Sequence, residues 1–308
     1  MNCADCRKKV LLCKFRVATN SSTKLSRFVT MLVTVLCVAF SSPAIAGKYK
    51  SIDRTSKLNS NYEDARKGKL DLGKNADRYH YIIVRGYLGQ FLPGYFKPGF
   101  KTLSKRGLNP KMGDTSTFAS ATTNAGSLAS QLGRFSNDKK FVLIGHSKGG
   151  RDIAAMLILY PELKKRVHAV GTIGTPWRGA VSKFKLYQRI IPPLYRGISE
   201  FTFLESESFF RAKPYPSHEV PTLAVTTSAR RFSLLGKFYT LYTPRDGEND
   251  GFIPVDRQKM DGLDFAHIED ADHYETVAKV PSVNSHDQAA LFLALVKTTL
   301  ETSEKRSK

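Results

Sequence analysis

The stretch Phe141-Val142-Leu143-Ile144-Gly145-His146-Ser147-Lys148-Gly149-Gly150 runs directly into Arg151-Asp152-Ile153-Ala154-Ala155-Met156-Leu157-Ile158-Leu159-Tyr160. In order, this is a short apolar strand, a glycine-framed serine and an apolar segment of helical character. A G-x-S-x-G turn in that setting forces its serine into a strained backbone conformation, so the flanking positions must be nearly free of side chain, as Gly145 and Gly149 are. The serine hydroxyl then projects from the carboxyl end of a strand, above a helix N-terminus whose unpaired N–H groups favour negative charge.

The flanking sequence keeps the same rhythm. Tyr79-His-Tyr-Ile-Ile-Val-Arg-Gly86, Val167–Ile173, Thr222–Thr227 and Leu263–Ile268 read as strands. Ala125, Leu128, Ala129, Leu132 and Phe135 share one helical face, and Leu291, Leu295 and Leu300 follow a Ser285/Gln288 capping box. Residues 87–116 are rich in Gly and Pro and read as a long loop with one short helix. Strands alternating with helices predict an α/β fold with a mostly parallel sheet covered on both faces. Residues 47–79 read as a polar N-terminal arm and 80–308 as the main domain. Residues 181–220 interrupt the rhythm and read as a cap insertion carrying Phe184, Leu186, Tyr187, Phe201, Phe209 and Phe210.

The chain has 308 residues, 41% of them hydrophobic, enough for one α/β domain with a large core. Its net charge is +21. The basic residues are scattered, without a basic–aromatic stripe, so nucleic acid is not expected; besides its substrate, the charge suits an anionic membrane or envelope surface. Residues 1–27 carry Arg7, Lys8, Lys9, Lys14, Arg16, Lys24 and Arg27 against Asp5 alone, before an apolar run at 28–40 and a small-residue site with Ala44 and Ala46. That arrangement predicts a signal peptide over residues 1–46 and a periplasmic or secreted product, the rival being an uncleaved anchor. All four cysteines, Cys3, Cys6, Cys13 and Cys37, precede the predicted cut. Cys3-x-x-Cys6 lacks a second pair, so no metal or cofactor is expected.

A serine hydroxyl needs a base, and the base an orienting carboxylate. Downstream stand Asp246 and Asp250, each before a glycine, and then Asp272-His273 in the loop after the last strand. His267 within a strand and His286 at a helix start compete with His273. Asp272 and Glu248 read as loop charges.

Five motifs in order then carry a resemblance. Val84-Arg-Gly-Tyr-Leu-Gly89 resembles the V-H-G-x-x-G oxyanion loop of bacterial secreted lipases, and Gly145–Gly149 resembles their elbow. Thr175-Pro-Trp-Arg-Gly179 resembles their T-P-x-x-G turn, Asn249-Asp250-Gly-Phe-Ile-Pro-Val255 their acid loop, and Asp272-His273 the position of their base. Over roughly residues 80–300 the chain is similar to the lipase/esterase branch of the α/β-hydrolase superfamily. The resemblance implies Ser147 as nucleophile, His273 as base, Asp250 as acid, and the backbone N–H groups of Tyr87 and Lys148 as the oxyanion hole. It implies hydrolysis of carboxylic esters of apolar acyl chains; the alternatives are an acyltransferase or thioesterase on the same triad, or a catalytically silent binding module. Arg85 departs from the pattern, standing where relatives carry histidine. Were it buried, it would need a carboxylate partner.

Overall fold

Along the strand that ends at the elbow, successive side chains point into two different cores. Val142 and Ile144 join one cluster and Phe141 and Leu143 the other, as a strand buried on both faces requires. The computed structural model describes residues 50–180, 200, 202–234, 236–237, 247–281 and 286–306. The segment predicted as a signal peptide, with its cysteines, Asp246, Ser285 and insertion residues 181–199 and 201 lie outside them.

The strands are β1 (Tyr79–Val84), β2 (Lys111–Met112), β3 (Lys140–His146), β4 (Val167–Ile173), β5 (Thr222–Thr227) and β6 (Asp264–Ile268). They form one six-stranded sheet in the order β2-β1-β3-β4-β5-β6, and every neighbouring pair is parallel. The helices are α1 (Thr55–Arg66), α2 (Lys97–Lys105), α3 (Ala121–Gly133), α4 (Lys148–Leu159), α5 (Phe203–Ala212) and α6 (Gln288–Arg306). Leu58 of α1, Leu103 of α2 and Leu291–Val296 of α6 cover one face, against Tyr81, Ile83, Leu223 and Val225. Ala125, Leu128 and Leu132 of α3 and Ile153–Leu157 of α4 cover the other, against Ile82, Val84 and Ala224. The expected α/β layering is thus observed.

Two local readings are corrected. The segment read as a polar N-terminal arm is not a mere surface arm, because α1 runs through it and packs on α6. Its buried stripe joins Leu58 to Asn61, whose amide donates to Thr298 Oγ1 at 3.0 Å and Glu301 Oε2 at 3.1 Å on α6. A polar residue fixed by long-range hydrogen bonds gives no apolar periodicity to read. At the start of α6, Asp287 Oδ1 accepts the N–H groups of Ala289 and Ala290, both at 3.0 Å, while the Gln288 amide donates instead to the carbonyls of Glu275 and Ala278. The cap belongs to Asp287 because its short carboxylate reaches the first turn's unpaired donors directly.

The register sets the site. Val84 pairs with Gly145 and His146 with Ile173, so β1, β3 and β4 end level with one another. The loops leaving β1, β3, β4, β5 and β6 gather at this carboxyl edge, where ligands of open α/β sheets bind.

Candidate active site

Ser147 joins β3 to α4 with φ 53° and ψ −125°, a conformation that costs a non-glycine residue roughly 1–3 kcal/mol. Three hydrogen bonds hold it there. Its N–H donates to the Ile173 carbonyl at 3.0 Å, and its own carbonyl accepts the Gly150 N–H and the Thr175 hydroxyl, each at 3.1 Å. The flanking glycines are required by contact. A Cβ on Gly149 would lie 2.3 Å from the Val84 carbonyl oxygen, and one on Gly145 2.7 Å from the Gly150 nitrogen.

Two loops from the far end of the chain meet this serine. His273 Nε2 lies 2.9 Å from Ser147 Oγ, and His273 Nδ1 lies 2.7 Å from Asp250 Oδ2. All three residues are buried. A carboxylate can only accept, so Nδ1 carries the proton and Nε2 is the lone pair facing the serine hydroxyl. Asp250 is held by three further donors: the Thr227 hydroxyl at 3.0 Å on Oδ2, and the N–H groups of Phe252 at 2.9 Å and Ile253 at 2.7 Å on Oδ1. The acid loop closes tightly at Gly251, whose φ is 89°. The Phe252 ring stacks on the His273 imidazole, 5.1 Å between centroids.

Thr227 and Gln258 complete this support and were not singled out in the sequence. Thr227 ends β5, and its N–H donates to Gln258 Oε1 at 2.7 Å. The Gln258 amide donates in turn to the carbonyls of Thr227 at 2.9 Å and Ile253 at 3.0 Å. Both are ordinary polar residues joined across the chain, with no spacing that marks them.

The competing histidines lie elsewhere. His267 bonds Thr226 and Ser228, and His286 bonds the Asp270 carbonyl. Asp246 lies outside the described residues. Glu248 is exposed, but Asp272 is not the loop charge its sequence suggests. It is buried, with Oδ2 accepting the Ser233 N–H at 3.1 Å and hydroxyl at 3.2 Å and Oδ1 accepting the Tyr274 N–H at 3.1 Å. Burial pushes its pKa up to about 6. It anchors the segment at 233, and none of its hydrogen bonds among the described residues goes to Ser147 or the His273 ring.

The loop after β1 presses on the serine, since a Cβ at Gly86 would lie 2.8 Å from Ser147 Cβ. Tyr87 follows it, buried, and Lys148 opens α4 with an N–H that has no intrahelical acceptor. Arg85 is only half-buried and, among the described residues, forms no ion pair. The residue is not buried, so the condition under which a carboxylate partner would be needed is not met. With Gln90, Thr117, Lys148 and Asp152 it lines a small cavity beside Gly86.

No protein-family model matches this chain, and no curated protein matches it in sequence. Solved structures do. A carboxyl esterase of metagenomic origin, MGS0156, superposes with a TM-score of 0.71 at 17% identity, covering 87% of this chain and 99% of its own. The Bacillus licheniformis lipase BlEst2 in mature form superposes with a TM-score of 0.51 at 18% identity, covering 65% of this chain and 86% of its own. At such identities the likeness is one of fold. With the parallel sheet and the strand–elbow–helix at its centre, it gives this chain the α/β-hydrolase fold.

Proposed function

We propose that this chain is an exported serine hydrolase that cleaves carboxylic esters of apolar acyl chains. The reading is supported above all by the buried run from Ser147 Oγ through the two ring nitrogens of His273 to Asp250 Oδ2, at 2.9 and 2.7 Å. In it, His273 Nε2 takes the hydroxyl proton as Oγ attacks the ester carbonyl carbon. The carbonyl electrons move onto oxygen, which is met by the N–H groups of Tyr87 and Lys148. Asp250 keeps Nδ1 protonated and balances the imidazolium. The tetrahedral adduct collapses, the alcohol leaves with the proton from Nε2, and an acyl-serine remains. Water, deprotonated by the same nitrogen, attacks that acyl group, and the acid departs as Oγ regains a proton.

The ester class is supported by the similar solved structures, which are by name a carboxyl esterase and a lipase. Export is supported by the basic, apolar and small-residue segments of residues 1–46, and the chain from Gly47 on, with 41 basic and 26 acidic residues, keeps a charge of +15 that suits an anionic envelope surface.

A fluorophosphonate probe tests the reading. It should label the wild-type protein and fail on Ser147→Ala; a labelled alanine variant, or an unlabelled wild type, removes it. An ester series from acetate to dodecanoate should show preference for the longer acyl chains. An added alcohol that captures most of the acyl group would make the protein a transferase instead. Intact mass of protein recovered from the envelope or medium should correspond to a chain beginning at Gly47.

A further inference from the structure

His146 precedes the nucleophile and is as buried as the core around it. Its Nε2 lies 2.8 Å from the carbonyl oxygen of His273. Only an N–H can bond a carbonyl there, so Nε2 carries the ring's proton and Nδ1 is an acceptor. Nδ1 is met by the Tyr95 hydroxyl, which therefore donates to it. The same hydroxyl oxygen accepts the N–H of Gly86 at 2.9 Å. One directed chain thus runs from Gly86 N–H to Tyr95 Oη–H, to His146 Nδ1, and from His146 Nε2–H to the His273 carbonyl.

Its three anchoring points sit in the loop after β1, at the last residue of β3 and in the loop after β6. Each belongs to a different part of the chemistry: the bond to Gly86 N–H holds the Arg85–Gly86 peptide, one peptide before that carrying the Tyr87 N–H, His146 adjoins the nucleophile, and His273 is the base. Burial, and next the nearby His273, hold the His146 pKa well below the ordinary histidine value, so its ring stays neutral. The ring centroids of His146 and His273 are 4.7 Å apart, so a second charge there would oppose the imidazolium that forms on His273.

We propose that Tyr95 and His146 are a positioning pair that locks the oxyanion loop and the base loop into register across the nucleophile. This rests on the serine-hydrolase reading above. The pair touches no reacting atom. It acts by keeping the oxyanion donors and His273 Nε2 in place around Ser147 as charge develops, so its removal slows turnover without weakening ground-state binding.

The test is steady-state kinetics on a p-nitrophenyl ester, with inhibition by a trifluoromethyl ketone that adds to Ser147 as a tetrahedral mimic. Tyr95→Phe keeps the ring and removes only the hydroxyl. It should lower kcat roughly 10–100-fold, leave KM within about twofold, and weaken the ketone by a factor similar to the loss in kcat. His146→Phe should do the same. His146→Gln, whose amide can still donate to the His273 carbonyl, should recover part of the loss. The double variant should be no worse than the worse single one, because the two act as a unit. Unchanged kcat in folded variants, a loss confined to KM, or losses that multiply independently would overturn the proposal. Should the variants fail to fold, the wild type decides: nitrogen-15 NMR should show His146 as the neutral Nε2–H tautomer throughout the active pH range, and a charged ring or the Nδ1–H tautomer overturns it. Failure of the hydrolase reading looks different, since the wild type would then be inert to the fluorophosphonate probe or Ser147→Ala would remain active.

Discussion

Lys148 Nζ lies 2.7 and 2.9 Å from the two carboxylate oxygens of Asp152, one helical turn on, with both side chains buried. The Asn124 amide adds a third bond, to Asp152 Oδ2 at 2.8 Å. The residue proposed to offer its N–H to the oxyanion is therefore pinned at its other end by an ion pair. Burial pushes the Asp152 pKa up to about 6, and the Lys148 charge opposes that rise. Removing one partner leaves an uncompensated charge in the core. Asp152→Ala should cost about 3–5 kcal/mol in chemical denaturation. Combining Lys148→Met with Asp152→Asn should recover most of that. Turnover by the double variant then separates two roles of Lys148: if the backbone N–H suffices, kcat stays near wild type, and if the ammonium also steadies the oxyanion, a stable but slow protein results.

The proposed triad predicts two unequal losses. Ser147→Ala should remove on the order of a millionfold in turnover with the melting temperature little changed, since among the described residues the hydroxyl's one hydrogen bond is that to His273. Asp250→Asn should cost on the order of ten-thousandfold, because an amide can donate to Nδ1 and so favour the wrong tautomer. Thr227→Val removes one of the bonds on Oδ2 and leaves the two N–H donors on Oδ1, so its loss should be far smaller. A Thr227 variant as slow as Asp250→Asn would show that the acid's placement depends on β5 rather than on its own loop.

Much of this was legible in the sequence, for definite reasons. β4 and β5 match their predicted spans because short runs of β-branched and small apolar residues, bounded by Gly174 and by Pro221, are buried on both faces. The elbow was legible because sterics forbid any Cβ at Gly145 and Gly149. His273 was chosen over His267 and His286 by its place after the last strand, and it is the one of the three that meets Ser147. What escaped was the polar scaffolding. Tyr95, Thr227 and Gln258 act through hydrogen bonds between segments distant in the chain, which leave no periodic trace. Asp272 was misread because a charged residue in a loop is ordinarily exposed.

That buried Asp272 carries a pH signature. Its folded pKa is raised to about 6 from an ordinary value of 3.8. Its contribution is therefore fully present below about pH 4 and lost as the pH rises through about 6, because in that window the unfolded chain releases a proton that the folded protein keeps. The loss is at most about 3 kcal/mol. Asp272→Asn cannot ionise, so its unfolding free energy should lack this fall. Denaturation of both proteins across the acid to neutral range reads the difference in slope, which is insensitive to any constant cost of the amide. Parallel curves would mean that Asp272 ionises in the folded protein as easily as in the unfolded chain.

The cap insertion leaves two readings open, walls of an acyl pocket or ordinary packing on the core, and the contacts of its two described phenylalanines favour the second. Phe209 and Phe210, on α5, are half-buried and pack against the core cluster beneath α3 and α4. Phe210 lies 5.9 Å from Trp177, centroid to centroid, and the Arg151 guanidinium sits 4.5 Å above its ring. Arg151 is itself buried, and its Nη1 donates to the Trp177 carbonyl at 3.2 Å. Burial lowers its pKa to about 10, so it remains charged at neutral pH, and the two aromatic faces lie close to that charge. Replacing both phenylalanines by alanine should then cost stability, about 2–4 kcal/mol for two half-buried rings and the lost cation–π contacts. Acyl preference across acetate to dodecanoate esters should hold, since these side chains are committed to the core. The opposite result, a flattened chain-length profile with an unchanged melting curve, would return Phe209 and Phe210 to the acyl pocket and would mean that α5 lifts from the core when substrate binds.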